Sequence, residues 1–313
     1  MQVVVLAGGL SPERDVSLRS GRRVAEALRA ATDFEVIEAD VDSALLTKLR
    51  QQAPDCVMPV LHGAAGEDGA LRDVLQSLRI PFVGSGAAAC RLAFDKPIAK
   101  TLLADAGVNT PAAVALPHSS FRELGASEVL SAVLGTVGLP LIVKPTKGGS
   151  ALGAALVHEA SQFPAAMVGS FAYSDVALME SWVQGVEVAV SVLDTGDGPQ
   201  ALPIAEIVPV NEIYDYSARY TAGTTEFFVP ARLSTEVSQR CADAALTAHR
   251  VLGLRDWSRT DLIVDAGGTV WFLEVNVAPG MTETSLFPQS LAAADLSLGD
   301  ITAQLVHAAI GRG

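Results

Sequence analysis

The stretch RTDLIVDAGGTVWFLEVN, Arg259 to Asn276, carries two acids in an otherwise apolar pair of strands. Its centre, Ala266-Gly267-Gly268-Thr269, is a tight-hairpin signal, because the two glycines can take the positive φ angles that such a turn needs. A hairpin closed symmetrically about them sets Ala266 against Thr269. The register then places Asp261 opposite Glu274 and Arg259 opposite Asn276. Side chains alternate between the two faces of a strand, so all four share one face. Directly opposed like charges destabilise a sheet, and the spacing therefore predicts a cation between them. Two carboxylates and an amide oxygen are hard donors that suit Mg²⁺, with Mn²⁺ as a substitute. Arg259 on the same face could hold a phosphoryl group or an oxyanion. The plainer reading is a solvent-facing strand on which both acids are merely hydrated.

Upstream, LIVKPTKGGSALG (Leu141–Gly153) delivers Lys144 from an apolar strand into a glycine-rich loop. Glycines let backbone N–H groups approach phosphate closely, and Lys144 and Lys147 add charge. No Gly-Lys-Ser/Thr triplet opens a helix, so this is not a P-loop; an ordinary glycine-turned hairpin is the competing reading. In ESWVQGVE (Glu180–Glu187), two acids flank a short turn after an apolar strand. Strand-end backbone beside an acid can recognise an adenine edge and a ribose, although acids beside turns are usually only solvated.

The first ninety residues alternate strand and helix: VVVLAGG, DVSLRSGRRVAEALRAA, FEVIEAD, CVMPVLHG and EDGALRDVLQSL. That order implies a parallel sheet covered by helices, with ligands at the carboxyl ends of the strands. Glu13 and His62 sit there, in SPERDVS and LHGAAGEDG. Alone, Glu13 reads as an acid favoured by a helix N-terminus, and His62 as a structural histidine. In NVAPGMTETSLFPQS, Pro279-Gly280 leaves backbone N–H groups available just past the hairpin acids, and Ser285-Leu286 open a helix whose N-terminus can take a carboxylate or simply be capped.

Composition bounds the rest. The chain has 313 residues, half of them hydrophobic, which suits two or three lobes around a sizeable core. A net charge of −13 argues against general nucleic-acid binding. No apolar run reaches the roughly 18–20 residues of a membrane helix, and MQVVVLAGG lacks the basic start of a signal peptide. Cys56, Cys90 and Cys241 lie far apart without metal-ligand spacing, which points to reduced thiols and a cytoplasmic protein.

Six stretches carry a resemblance in chain order: GGLSPERDVSLRSG, LHGAAGEDG, GSGAAACRLAFDK, KPTKGGSALG, YDYSARYTAGTTEFFVPA and EVNVAPGMTETSLFPQS. Together they resemble the ATP-grasp superfamily and, within it, the D-alanine–D-alanine ligases. The resemblance implies an α/β fold in which a parallel α/β domain (1–94) precedes two α+β domains (95–182 and 183–313) that clasp ATP. It implies that Lys96, Lys144 and Arg219 contact ATP phosphates. Glu180, Trp182 and Val183 would line the adenine, with Glu187 at the ribose. Asp261, Glu274 and Asn276 would hold two Mg²⁺ ions. Glu13 would take the ammonium of a first D-alanine, near His62, and would close loops together with Ser150 and Tyr220. Arg259 and the Gly280 N–H would form an oxyanion site, and Ser285 and Leu286 would meet the second substrate's carboxylate. A homodimer is the assembly the family suggests. The chain departs from the family pattern at Arg219, Ala151 and Ser181, which stand for lysine, serine and lysine. Two rivals remain: an ATP-grasp ligase for another amino acid, and a nucleotide-binding regulator without turnover.

Overall fold

The computed structural model describes residues 1–210, 213–221 and 223–312, the side chains of Ser217 and Tyr220 aside. The first layer is β1 (Gln2–Ala7), α1 (Arg14–Ala31), β2 (Glu35–Asp40), α2 (Leu45–Gln52), β3 (Cys56–Pro59), α3 (Ala64–Glu67) and α4 (Ala70–Ser77). Its sheet runs β2-β1-β3, all parallel. The run Val3 to Leu6 is wholly buried because helices cover both faces of the central strand. The loops at the carboxyl ends of β1 and β3 carry Glu13 and His62, as the alternation predicts.

Two helices, α5 (Ala87–Phe94) and α6 (Lys96–Asp105), lead into β4 (Ala113–Pro117), α7 (His118–Leu124), α8 (Ala126–Val137), β5 (Leu141–Pro145), β6 (Ala155–Val157), α9 (Phe163–Phe171) and β7 (Val176–Ser181). Asp95 caps α6, and Pro97 sits in its first turn where the missing N–H costs nothing. The four strands form an antiparallel sheet in the order β4-β7-β5-β6.

The remainder is β8 (Gly185–Leu193), β9 (Gln200–Ala201), β10 (Ala205–Pro209), α10 (Tyr216–Tyr220), β11 (Thr225–Phe228), α11 (Thr235–Val251), β12 (Trp257–Asp265), β13 (Val270–Asn276), α12 (Leu286–Ala293) and α13 (Leu298–Gly311). Its main sheet is β11-β10-β8-β12-β13, with β9 added beside β8. Apolar packing joins distant parts of the chain. Cys90, Ala99 and Leu103 of α5 and α6 pack with Val188, Leu262 and Phe272 of the last sheet. Phe287, Leu305 and Val306 from the closing helices pack with Val3, Val5 and Val24 of the first layer. Ends of the chain that bury side chains in each other this way hold the site loops between them. Among the described residues no helix is long and apolar enough to cross a membrane.

Candidate active site

β12 lies inside the last sheet, with β8 on one side and β13 on the other. Arg259 pairs with Asn276 and Asp261 with Glu274, so the expected acid-against-acid register holds at that end. The turn end differs. Leu262, Ile263 and Val264 face Phe272, Trp271 and Val270, one residue out of the symmetric register. Ala266 therefore does not oppose Thr269. Instead Asp265 N–H donates to the Thr269 carbonyl (3.0 Å) and Gly268 N–H to the Asp265 carbonyl (2.9 Å). That makes a three-residue loop in which Gly268 alone takes positive φ (+78°), a turn followed by a left-handed glycine. The Asp265 carboxylate locks it by accepting from Gly267 N–H, Thr269 N–H and the Trp271 indole, each at 2.9 Å. A bulge between Asp261 and Leu262 restores the register. Without it the one-residue slip would turn the acids to the opposite face.

Protein cations neutralise the opposed acids. Arg259 forks onto Asp261 with two bonds of 2.7 Å, and Lys96 Nζ lies 3.2 Å from Glu274. Burial alone would disfavour charge on Glu274, but Lys96, Lys144, Arg219 and Arg259 outweigh it and hold its carboxyl below the usual range. Asn276 Oδ1 accepts from Ala278 N–H at 2.7 Å.

A cavity of about 490 Å³ lies between the second and third sheets. Its walls include Lys144, Glu180, Trp182, Val183, Glu187, Arg219, Asp261 and Glu274, beside Ile142, Ile263 and Leu273. Glu180 is buried and grips two lysines, Lys144 and Lys100, the latter at 2.8 Å. Burial opposes its charge, yet the two ammonium groups keep its carboxyl below the usual range. Burial lowers Lys100 to about 8. The same burial acts on Lys144, where the Glu180 and Glu274 carboxylates reverse it and raise the ammonium. Taking away one partner of such a buried set costs about 3–5 kcal/mol. Glu187 is pushed up to about 7, first by burial. Arg219 stacks 4.3 Å above the Tyr214 ring and donates from Nε to the Tyr214 carbonyl (3.3 Å).

A second cavity of about 120 Å³ adjoins the first and is lined by Glu13, His62, Glu67, Ser150, Arg259, Asn276, Gly280, Ser285 and Leu286. Lys96, Gly148, Gly149, Tyr214, Arg219 and Glu274 line both cavities. Ser150 Oγ donates a short hydrogen bond to Glu13, which reaches from the N-cap of α1 to the glycine-rich loop. A Cβ on Gly149 would stand 3.0 Å from Glu13 Oε1, so the loop packs closely against the acid. Lys96 Nζ holds the same loop through the Gly148 carbonyl (2.7 Å). Burial raises the Glu13 carboxyl, with Ser150 and Arg219 pulling against it. Glu67 is pushed up to about 8, by burial first and then by Glu13. His62 is buried between Ser20 Oγ (3.2 Å) and the Ala278 carbonyl (3.1 Å). Ser285 is the N-cap residue of α12, and its Oγ accepts from Thr282 N–H (3.0 Å).

Comparison with known proteins reads this arrangement. Residues 102–307 match the family model described as the D-ala D-ala ligase C-terminus. A D-alanine–D-alanine ligase of Desulforudis audaxviator is 40% identical over 311 residues, covering 98% of each chain. This chain belongs to the D-alanine–D-alanine ligase family. A family member from Anaeromyxobacter dehalogenans is 39% identical over 98% of this chain and 96% of its own. Among solved structures, a D-alanine–D-alanine ligase from Bacillus anthracis superposes with a TM-score of 0.84 at 28% identity, covering 99% of this chain and 97% of that one. The same enzyme complexed with ATP gives 0.80 at 26% identity, with the same coverage. A D-Ala:D-Ser ligase from Enterococcus faecalis gives 0.83 at 28%, covering 98% and 99%. The fold is the ATP-grasp α/β architecture expected from the sequence.

Every site residue predicted for this ligase from its sequence lines one of the two adjoining cavities, with one exception. The side chain of Tyr220 lies outside the described residues. The sequence reading missed Lys100, Glu67, Ser20 and Arg23. A signal existed for Lys100, which stands four residues after Lys96 on one helix and so faces the same way. Of the departures from the family pattern, Ser181 lines the larger cavity, and its hydroxyl donates to the Val137 carbonyl (2.7 Å) at the end of α8.

Proposed function

We propose that the larger cavity holds the nucleotide of MgATP and the smaller one two D-alanines, which the protein joins in two steps. ATP phosphorylates the carboxylate of the first D-alanine, giving an acyl phosphate and ADP. The amine of the second then attacks the acyl carbon, phosphate leaves, and D-alanyl-D-alanine forms, a building block for peptidoglycan. The observation that carries this reading is the junction: the cations Lys96 and Arg219 line both cavities beside Glu274, so a phosphoryl group can pass between them without leaving a cationic wall. Phosphoryl transfer needs positioning and charge neutralisation more than covalent help.

Position in the two cavities supports these residue roles. Lys96, Lys144 and Arg219 would hold phosphates. Trp182 and Val183 would offer strand-end backbone to adenine, with Glu180 behind them and Glu187 at the ribose. Glu13, held by Ser150, would take the first ammonium, Arg259 and the Gly280 N–H would meet the oxyanion, and Ser285 and Leu286 the second carboxylate. Asp261, Glu274 and Asn276 fit a hard cation: all their donor atoms are oxygens, on facing strands, beside the phosphate lysine. Two Mg²⁺ ions there would supply neutralising charge to the phosphates. The division into segments 1–94, 95–182 and 183–313, a homodimeric assembly and a cytoplasmic location belong to the same proposal.

The test is ADP release with MgATP and D-alanine, L-alanine, D-serine or no amino acid, with products identified by mass. Release with D-alanine and formation of D-alanyl-D-alanine are expected. Likeness to a D-Ala:D-Ser ligase favours one second reading, a different acceptor at the second position, which a mixed product from D-alanine plus D-serine would reveal. ADP release with no product would sink both readings.

A further inference from the structure

The segment from Ala278 to Thr282 is held by three side chains from the opposite end of the chain. Ser20 Oγ accepts from Met281 N–H at 3.1 Å. Arg23 Nη1 donates to the Met281 carbonyl (3.2 Å) and the Thr282 carbonyl (2.6 Å). His62 Nδ1 lies 3.1 Å from the Ala278 carbonyl, and its Nε2 lies 3.2 Å from Ser20 Oγ. Ser20 and Arg23 stand three residues apart on α1, hence on one face of it. Gly280 lies between the anchored groups.

Donor and acceptor arithmetic leaves one arrangement for a neutral ring. A carbonyl oxygen cannot donate, so Nδ1 carries the proton. Nε2 is then a lone pair, and the Ser20 O–H must point at it. The lone pairs of Ser20 Oγ remain for Met281 N–H. The chain therefore runs from Met281 N–H to Ser20, from Ser20 O–H to His62 Nε2, and from His62 Nδ1–H to the Ala278 carbonyl. Ser20 is 0% and His62 5% exposed, so no water competes for these bonds. Burial, with a smaller contribution from Arg259, lowers His62 to about 4 and keeps it neutral.

We infer that Ser20, with Arg23 and His62, is a positioning device: it fixes the Gly280 N–H against the reacting carbonyl, and His62 acts through Ser20 as the Nδ1-protonated tautomer. The inference rests on the oxyanion role proposed for Gly280. α1 also carries Glu13 at its N-cap, seven residues before Ser20. At 1.5 Å per residue that is about 10 Å along the axis. One rigid helix thus spans from the first substrate's ammonium to the oxyanion donor.

Losing an oxyanion donor costs about 10²–10³-fold in kcat, so releasing one from its anchor in S20A is expected to cost about 10- to 100-fold. KM for ATP stays where it is, because the nucleotide cavity is untouched. R23M, which frees only carbonyls, is expected to lose less. A merely structural Ser20 would lower the melting temperature and leave the kcat of the folded fraction intact. If S20A does not fold, S20C keeps the volume and replaces a good acceptor by a poor one. The second readout is the ¹⁵N spectrum of the histidine-labelled full chain, with His62 assigned by its loss in H62Q. A ring protonated at Nδ1 is expected, and protonation at Nε2 in the wild type overturns the arrangement. A folded S20A with wild-type kcat overturns the positioning role. Failure of the ligase reading shows itself separately, as wild-type protein that makes no product, and leaves the tautomer measurement standing.

Discussion

The two cavities meet at Glu274 and treat charge in opposite ways. In the larger one most charges are matched within the protein: Glu180 sits between Lys100 and Lys144, Arg232 pairs with Glu206 and Arg259 with Asp261, and Glu187 is the acid that burial pushes up. In the smaller one two buried acids accept hydrogen bonds from neutral donors, Glu13 from Ser150 and Glu67 from Gly63 N–H. Burial pushes Glu13 and Glu67 upward, and Glu13 adds to the cost of charge on Glu67. A cavity with balanced charge keeps its shape while empty and accepts a base and ribose by fit. A cavity with unmet negative charge gains most from a cationic group, so an ammonium is the ligand it is built to select. The nucleotide side is preorganised, and the amino-acid side is completed by what it binds.

The sharpest way to break this contrast is at the junction, where one residue serves both sides. Glu274→Gln keeps the shape but removes the charge that faces Lys96 and lies near Lys144. Outer-shell partners of a metal site are worth about 10–100-fold, so loss of a proposed ligand is expected to cost kcat at least about 100-fold. The fold should survive, with circular dichroism unchanged. ADP release at the wild-type rate would remove Glu274 from the site.

Single-sided substitutions sharpen it. Lys144→Met is expected to raise KM for ATP and leave KM for D-alanine alone, whereas Glu13→Gln should do the reverse. A charge-assisted hydrogen bond is worth about 1.5–3 kcal/mol, which sets each shift at about 10- to 100-fold. Initial rates over a grid of both substrates give both constants at once. A variant that moves both equally would mean the cavities are coupled through the glycine-rich loop, which Lys96 and Ser150 tie to each side.

How much of this was readable in the chain differs by element. The acids of β12 and β13 were legible because strand alternation is strict and both termini of the hairpin were marked. The intervening slip was not, since a bulge is set by packing and by the Asp265 carboxylate closing a three-residue loop. α8 escaped notice because ASEVLSAVLGTV is apolar around much of its circumference and lacks a clear start signal, although only Val129, Val133 and Val137 are buried in it. Glu13 and Ser150 lie 137 residues apart, and no local pattern announces such a contact. Lys100 was legible only in part: its spacing of four from Lys96 puts it on the same helix face, but its burial against Glu180 is set by the fold.

The smallest expected effect concerns the rim. The loop between β1 and α1 that delivers Glu13 is tied to β2 by Asp40, which accepts from Gly9 N–H (2.9 Å) and pairs with Arg14. The Arg14 side chain holds the Asp40 carboxyl down at about 2. Below that value both the folded and the unfolded chain are protonated there, and the pair contributes nothing. Above the ordinary value near 4 both are ionised, and the contribution is complete. Stability from this pair is therefore lost as pH falls from about 4 towards 2. Both side chains are more than a third exposed, so solvent screening keeps the contribution small. Urea unfolding of the wild type and of Asp40→Asn should differ by that small amount at pH 6 and by visibly less at pH 3. A gap that does not narrow would place the cost of the substitution in the packing of Gly9 and leave the ion pair with no part in it. A gap of several kcal/mol at pH 6 would mean that the rim is preorganised as firmly as the nucleotide cavity, and the contrast between the two sides would then lie in the charge of their walls alone.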